Sequence, residues 1–298
     1  MKRVLITGIS GYIGSRLAKG ILPACHVYGL VRQPLNKTYL PPELQEQMVF
    51  LPYDGTGESV VSALKESRPD TVYHLAAHYT AAHNIKAASS LLESNLVLGC
   101  YLLEAMCSVH CRKLVYTSTA TTNCTGAGYH PLTLYAATKK AFSDLVGFYT
   151  RECNFSAAGI VLSDTYGPGD KRPKVLNLIR QAALQGSQMD MTSGKQIYDA
   201  VYIDDVVRGL RRAAGMLETE PACHHLFQLA SAEPRSLRAT AELMLRVNGA
   251  SYSPGWGAKP DPEKLTEHPI CIYPPVPGWK PQVALEDGLQ KLWNDTAL

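Results

Sequence analysis

Val4-Leu5-Ile6-Thr7-Gly8-Ile9-Ser10-Gly11-Tyr12-Ile13-Gly14 runs from a short apolar stretch into a glycine triplet, and this junction decides the fold. Glycines between a strand and a helix permit a tight turn, close approach of backbone N–H groups to a pyrophosphate, and close packing of helix on strand. The helix N-terminus behind them favours an anion. Gly8, Ser10, Gly11, Tyr12, Ile13 and Gly14 are therefore the expected pyrophosphate-side residues of a dinucleotide site.

Outward from this turn, apolar runs alternate with amphipathic stretches, the pattern of repeated βαβ units and a parallel sheet. Strands are predicted at Arg3–Thr7, His26–Val31, Met48–Pro52, Thr71–Leu75, Lys113–Thr117, Ser156–Leu162 and Leu226–Leu229. Helices are predicted to begin near Tyr12, Gly57, Ser90, Leu134 and Lys174. The fold class is α/β, a Rossmann-type doubly wound parallel sheet with a smaller, partly interleaved C-terminal region. After about Leu162 the alternation gives way to Thr165-Tyr166-Gly167-Pro168-Gly169-Asp170-Lys171-Arg172-Pro173 and, later, to a proline-rich tail. The expected division is a dinucleotide-binding domain over 1–164, with 197–214 returning to it, and a substrate-binding region over 165–298. The smaller region is expected over the sheet's carboxyl edge, where doubly wound sheets bind ligands.

Hydrophobic residues at 46% and charged residues at 18% favour a compact soluble fold over disorder or a membrane class. The net charge of +3 comes from 29 basic and 26 acidic residues with no Lys/Arg block. That argues against nucleic acid as a partner, which would need a clustered basic footprint. The N-terminus reads as strand and turn, not as a signal peptide, because Gly8, Gly11 and Gly14 interrupt its apolar run. Eight cysteines without a CxxC pair are expected as reduced thiols in a cytoplasmic protein. His224-His225 reads as a loop before the last strand. No metal is expected there, on the ground that no carboxylate or thiol recurs at a suitable offset.

An NAD site usually ends its second strand in a carboxylate, about twenty residues past the glycines, that accepts from the ribose 2′-OH. Here that strand ends Leu30-Val31-Arg32. Arg32 is either a charge-assisted partner of a 2′-phosphate or a solvated surface arginine. The missing carboxylate favours NADP(H) over NAD(H). Asp54, followed by Gly55 after the third strand, either accepts from the adenine amino group or caps the next helix.

Tyr135-Ala136-Ala137-Thr138-Lys139 is the catalytic candidate. Residues four apart share a helix face, so the Lys139 ammonium can lie beside the Tyr135 phenol. A neighbouring positive charge favours phenolate and makes the tyrosine an acid or base usable near neutrality. This spacing alone is a common accident. Upstream, however, a strand runs into Thr117-Ser118-Thr119, whose hydroxyls would emerge at a strand's carboxyl end beside the glycine turn.

Taken in order, TGxxGxxG from Thr7, PDTVYHLAA from Pro69, YTSTAT from Tyr116, YAATK from Tyr135, DTYGPGDKRPKVLNLI from Asp164 and GKQIYDAVYIDDVVRG from Gly194 span about Met1 to Gly209. The set resembles the NAD(P)-dependent epimerase/dehydratase branch of the extended short-chain dehydrogenases/reductases. The resemblance implies an enzyme with Thr119 as active hydroxyl, Tyr135 as acid/base and Lys139 as its support. It also implies that Leu75, Ala76 and Ala77 lie beside the cofactor and that Asn95, Thr117 and Leu162 lie toward its nicotinamide. Asp164 falls where most members carry a substrate-contacting asparagine. A homodimer is implied as well, through helices approximated by Ser90–Ser108 and Leu134–Cys153. Their stripes of Leu91, Leu98, Leu102 and Ala105, and of Phe142, Leu145 and Tyr149, face either the partner or the sheet.

Departures from the family pattern narrow the activity. Ala120 and Thr121 stand where its 4,6-dehydratases carry an Asp-Glu pair, so water loss is not expected. The stretch from Thr119 to Tyr135 is short, and Tyr198 replaces an arginine that many members use for the substrate diphosphate. These features resemble the bacterial nucleotide-sugar 4-ketoreductases of the CDP-abequose synthase and dTDP-4-keto-6-deoxyglucose reductase group. The leading expectation is reduction of a nucleotide-linked 6-deoxyhexulose at its 4-keto group. Lys171, Arg172, Lys174 or Lys195 would then stand in for the missing arginine. The alternatives are a nucleotide-sugar 4-epimerase with retained NAD, a reductase of a non-sugar carbonyl, and a non-catalytic NADP sensor. The last class loses the tyrosine and lysine that are present here.

Overall fold

The computed structural model describes residues 1–123, 129–231, 233–261 and 272–295. From the N-terminus the elements are β1 (Lys2–Thr7), α1 (Tyr12–Ile21), β2 (Cys25–Arg32), α2 (Pro42–Gln45), β3 (Val49–Tyr53), α3 (Gly57–Ser67) and β4 (Thr71–His74). They continue as α4 (Ile85–Leu92), α5 (Leu98–Ser108), β5 (Lys113–Thr119), α6 (Leu134–Glu152), β6 (Ser156–Leu162), β7 (Asp164–Tyr166), α7 (Val175–Gln185), β8 (Ile197–Tyr198) and β9 (Ala200–Tyr202). The last are α8 (Ile203–Met216), β10 (His224–Leu229), β11 (Arg235–Ser236), α9 (Leu237–Val247) and α10 (Leu285–Trp293).

All seven predicted strands are present and form one sheet in the order β10-β6-β5-β4-β1-β2-β3. Every pairing in it is parallel. Strands of such a sheet are covered on both faces and read as continuous apolar runs. Val72 and Tyr73 of β4 and Leu114, Val115 and Tyr116 of β5 are accordingly buried. The chain reverses direction across the sheet between β1 and β4. Ligands of doubly wound sheets bind at such a switch point, outside the carboxyl ends of the strands.

Two compact units divide the chain. The first comprises Met1–Leu162, Val206–Leu229 and Ile272–Trp279 and carries the large sheet. The second comprises Ser163–Asp205, Ala230–Cys271 and Lys280–Leu298. Within it β7 pairs with β9 and β8 with β11, and α9 packs on α10 and α7. The sequence division at 164 with a return over 197–214 differs from this in detail. The return starts only at Val206, because the pairing of β9 with β7 keeps Ala200–Tyr202 in the second unit.

Two sequence expectations are corrected and one open choice is narrowed. The helix expected from Ser90 begins at Ile85, where the Asn84 side chain accepts from Ala87 N–H at 2.9 Å. It continues to Ser108 through a π-helical turn at Glu93–Val97. Its length and apolar character would suffice to cross a membrane, yet half of the most apolar window is buried, and α5 packs on α3 and α6. Second, Cys107 and Cys153 form a disulfide across 46 residues of sequence, a pairing that no local spacing signals. Cys25, Cys100, Cys111 and Cys223 are free thiols, while Cys124 and Cys271 lie outside the described residues. Third, of the stripes that could face a partner or the sheet, Leu91, Leu98, Leu102, Ala105 and Phe142 are buried inside the first unit, while Leu145 and Tyr149 are only partly buried against the same core. Ile85, Leu92, Val97 and Phe148 are the large apolar side chains exposed on the same helices among the described residues.

Candidate active site

Gly8 leaves β1 with φ +71°, and a Cβ there would stand 2.6 Å from Ala76 N. The chain just past β4, at Leu75-Ala76, therefore abuts the glycine turn, with Ala77 next in line. A Cβ on Gly14 would meet the Gly8 carbonyl oxygen at 2.2 Å, so helix and turn also require glycine at their contact. Gly11 is the N-cap of α1, which has no side-chain cap and no acidic residue in its first turn. By contrast α3, α4, α6 and α9 are capped by Thr56, Asn84, Thr133 and Ser236. Bare backbone donors at a helix N-terminus fit a pyrophosphate. Ser10 and Ile13 are partly buried at the turn, whereas Tyr12 is buried with its ring 5.8 Å from that of Tyr39.

At the end of β2 the exposed Arg32 stands in register with Tyr53, and its Nη2 donates to Ser94 Oγ at 2.9 Å. Asp54 Oδ1 accepts from the Thr56 N–H and hydroxyl at 2.9 and 2.7 Å, and Thr56 Oγ1 in turn caps α3. Those bonds lower the Asp54 carboxyl below the usual range. Asp54 thus shapes the turn while Thr56 does the capping, and Gly55 passes between them at φ +101°.

The chemistry gathers at the end of β5. Thr119 Oγ1 lies 2.9 Å from Thr121 Oγ1, and Thr119 caps a single 3-10 turn over Ala120–Thr122. The carbonyls of Thr121 and Thr122 tether the segment before α6, accepting from Leu132 and His130 N–H at 3.0 and 3.1 Å. Thr133, next in the chain, caps α6 through Ala136 N–H at 3.2 Å. This lashing places the first turn of α6, with Tyr135, beside the strand end that carries Thr119. Tyr135 is partly exposed, its ring edge-on to Tyr79 at 5.1 Å. Thr117 is buried one pleat back, and Leu162 of β6 is the register partner of Thr119.

Lys139, one turn beyond Tyr135, is only 2% exposed, and burial lowers its pKa to about 8. His74 at the end of β4 was missed by sequence reasoning, although a histidine closing an apolar strand is itself a signal. Its Nδ1 lies 2.8 Å from Thr7 Oγ1, which also accepts from Ala76 N–H at 3.2 Å. Burial, and then the Lys139 charge, push His74 down to about 3. Asn95, in the π-helical turn, exchanges both amide groups with the His78 backbone at 2.8 and 3.1 Å and donates to Thr138 Oγ1 at 3.0 Å. It therefore acts on the protein, fastening the loop after β4 to the helix of Tyr135. Such π-turns recur at functional sites.

The histidine shift makes stability depend on acid. An unfolded His74 titrates near 6.5 but stays neutral to about 3 in the fold. Below pH 6.5 the unfolded chain therefore binds the extra proton, so this stability is full above 6.5 and is lost as pH falls. At pH 5 the loss amounts to roughly 2 kcal/mol for this group. Urea unfolding of the wild type and His74→Asn between pH 7 and 5 checks this. Equal slopes for the two proteins would contradict it.

Asp164, Lys174 and Tyr198 belong to the second unit. Lys174 Nζ forms an ion pair with Asp164. Arg172 forks onto the buried Asp170 through Nε at 2.6 Å and Nη2 at 2.5 Å. Arg172 and Lys174, both suggested for a diphosphate, are thus already matched by carboxylates. Tyr198 is buried, and burial, followed by the charge of Asp164, raises its phenol well above the ordinary value. It is a neutral group that cannot replace an arginine's charge.

The sequence profile of the NAD dependent epimerase/dehydratase family matches residues 4–226. Among curated relatives, the UDP-glucose 4-epimerase of Mycolicibacterium smegmatis is 27% identical over 97% of this chain and 96% of its own. The CDP-abequose synthase of Yersinia pseudotuberculosis is 27% identical over 70% of this chain and 71% of its own. Among solved structures, the Thermotoga maritima UDP-glucose 4-epimerase with UDP-glucose superposes with a TM-score of 0.84 at 21% identity, covering 97% of each chain. The Bacillus cereus UDP-glucuronic acid 4-epimerase, in complex with UDP-glucuronic acid and NAD, gives 0.81 at 20% identity over 98% of each. At these identities the structural likeness speaks to the fold.

Proposed function

Because the chain belongs to the NAD dependent epimerase/dehydratase family, we propose that it reduces the 4-keto group of a nucleotide-linked 6-deoxyhexulose with NADPH. The observation that carries the reading is the lashing of the Thr119 strand end to the first turn of α6, with the Lys139 charge buried one turn below Tyr135. The nicotinamide supplies the hydride that the carbonyl carbon gains. Thr119 donates a hydrogen bond to the carbonyl oxygen and Tyr135 delivers the proton to it. Donors already in place stabilise the negative charge that develops there. Lys139 favours the phenolate that is left once the proton has gone, and it holds the nicotinamide ribose.

Ala120 and Thr121 support reduction over dehydration, since neither side chain can move a proton off a sugar carbon and back. Thr121 is instead occupied with Thr119. A 4-epimerase with retained NAD is the second reading, favoured by the end-to-end match to a UDP-glucose 4-epimerase. In either reading Asp164, Lys174 and Tyr198 hold the sugar nucleotide, with Lys171, Arg172, Lys174 or Lys195 supplying charge for the diphosphate. We further infer a homodimer through the exposed Leu92, Val97 and Phe148. The substrate assignment is tested by following NADPH loss over a panel of 4-keto-6-deoxy nucleotide sugars and non-sugar ketones. Consumption with the ketones alone would remove the sugar.

The cofactor preference rests on Arg32. Its guanidinium uses one nitrogen on Ser94 and is exposed at the strand end where NAD enzymes carry a carboxylate. Arg32→Ala should cost NADPH binding on the order of tenfold to a hundredfold, the 1.5–3 kcal/mol of a charge-assisted bond, and leave NADH binding nearly unchanged. Titration of both nucleotides against both proteins checks this. A ratio unmoved by the substitution would return Arg32 to the role of a surface residue.

A further inference from the structure

We propose that Glu220, Cys223 and His225 form a site for one divalent cation of the zinc type at the amino-terminal edge of the large sheet. The sequence reading put both histidines in a loop because no carboxylate or thiol stood at a suitable offset, yet Glu220 and Cys223 lie five and two residues before His225. In the structure β10 begins at His224, so the two side chains point to opposite faces of the sheet. His224 turns to Tyr116, whose hydroxyl lies 2.8 Å from its Nε2. His225 turns the other way and meets Glu220 and Cys223.

One ligand atom from each of these three residues lies within 4.8 Å of the other two. His225 Nε2 is 2.7 Å from Glu220 Oε2, and Cys223 Sγ is 3.5 Å from the same oxygen. One sulfur, one imidazole nitrogen and one carboxylate oxygen make a donor set suited to zinc. Around a tetrahedral ion with bonds of about 2.0–2.3 Å, donors stand roughly 3.3–3.7 Å apart. The sulfur–oxygen distance already falls there, rotation of Glu220 would open the shorter nitrogen–oxygen one, and the sulfur and nitrogen, within 4.8 Å of each other, are in reach of one ion. The fourth position is left to water.

The backbone that carries these donors is pinned. Ala157 N–H donates to the Cys223 carbonyl at 2.8 Å, and Ser156 Oγ to the Pro221 carbonyl at 3.1 Å. His225 pairs in register with Ala158 and stacks on Phe227, ring centroids 5.4 Å apart. Preorganisation of this kind spares a bound ion the cost of ordering its ligands. On binding, the Cys223 thiol gives its proton to solvent and its sulfur to the metal. His225 ligates through Nε2 with its proton on Nδ1. The glycine turn and Tyr135 lie at the opposite, carboxyl edge of the same sheet, so the ion clips the loop between α8 and β10 onto β6 and takes no part in hydride transfer.

The test is titration of metal-free, full-length protein with Co²⁺ and then Zn²⁺. One equivalent of Co²⁺ should give the intense visible bands of a four-coordinate ion with a near-ultraviolet thiolate charge-transfer band, both abolished by Zn²⁺. Cys223→Ser should remove the charge-transfer band, and His225→Asn should weaken Zn²⁺ by more than the tenfold or so lost with even an outer partner. Cys25→Ser should leave both unchanged. Zn²⁺ should also raise the melting temperature of the wild type and not that of Cys223→Ser, whose own cooperative melting shows that the variant is folded. Binding without saturation at one equivalent, or a charge-transfer band that survives Cys223→Ser, would overturn the site.

Discussion

Tyr135→Phe is expected to lower turnover by about 10²–10⁴-fold, the worth of a positioned general acid, while leaving the fold and NADPH affinity intact. The substitution removes one oxygen from a partly exposed ring at the start of α6. The ring's edge-on contact with Tyr79 remains available to phenylalanine. In the proposed mechanism, loss of the phenol removes the donor to the carbonyl oxygen and leaves Thr119 as its hydroxyl partner. Rate and affinity should separate cleanly: kcat falls and the NADPH dissociation constant stays. Stopped-flow hydride transfer with fluorescence titration of NADPH measures the two independently, and wild-type turnover in the variant would leave Tyr135 as an ordinary helix residue.

Lys139→Met is expected to stabilise the protein without its cofactor while disabling it. An ammonium held 2% exposed is there at a cost: its pKa drops from 10.5 to about 8 because burial disfavours the charge. That shift corresponds to roughly 3 kcal/mol of destabilisation, full at any pH below the folded value. Between pH 8 and 10.5 the unfolded chain holds the extra proton, so wild-type stability should rise with pH across that window from this group. Met fills similar volume without charge and should lack the rise. Turnover should fall with the loss of the charge that supports Tyr135, and NADPH should bind more weakly, since Lys139 is also proposed to hold the nicotinamide ribose. Stability gained by removing a functional charge is the usual trade at an active site. Equal apo stability of the two proteins at pH 7 would show that the ammonium is better solvated than its burial implies.

Much of this site was legible because its grammar is local. The glycine spacing, the strand before it and the helix after it occupy one short segment, and Tyr135 and Lys139 are fixed relative to each other by one helical turn. Thr119 needed the strand end at β5, which the apolar run of Lys113–Tyr116 already marked. What escaped depends on contacts between distant residues. His74 and Thr7 share a hydrogen bond across 67 positions, and the Cys107–Cys153 disulfide spans 46. Asn95 was placed toward the nicotinamide by resemblance alone, and its bonds to His78 and Thr138, one of them 43 positions away, could not be read from spacing. The helix expected at Ser90 was placed by its apolar stripe, and the Asn84 cap that starts it sits before that stripe begins. The apolar stripes along these helices could face either a partner or the sheet from spacing alone, and only the packing shows that Leu91, Leu98, Leu102, Ala105 and Phe142 belong to the core, as the apolar face of a helix beside a sheet usually does. His225 shows the same limit on a smaller scale, since only the start of β10 decides that it turns toward Cys223 and away from His224's partner.

Transfer of deuterium from the pro-S or pro-R position of labelled NADPH into the substrate carbon, counted per product formed, tests the central claim most directly. A 4-ketoreductase places one deuterium at carbon 4 of the hexose for each NADPH consumed, with NADP⁺ released in equal amount. Interconversion of 4-epimers with no net NADPH loss and no deuterium in the sugar would contradict it and establish the epimerase reading.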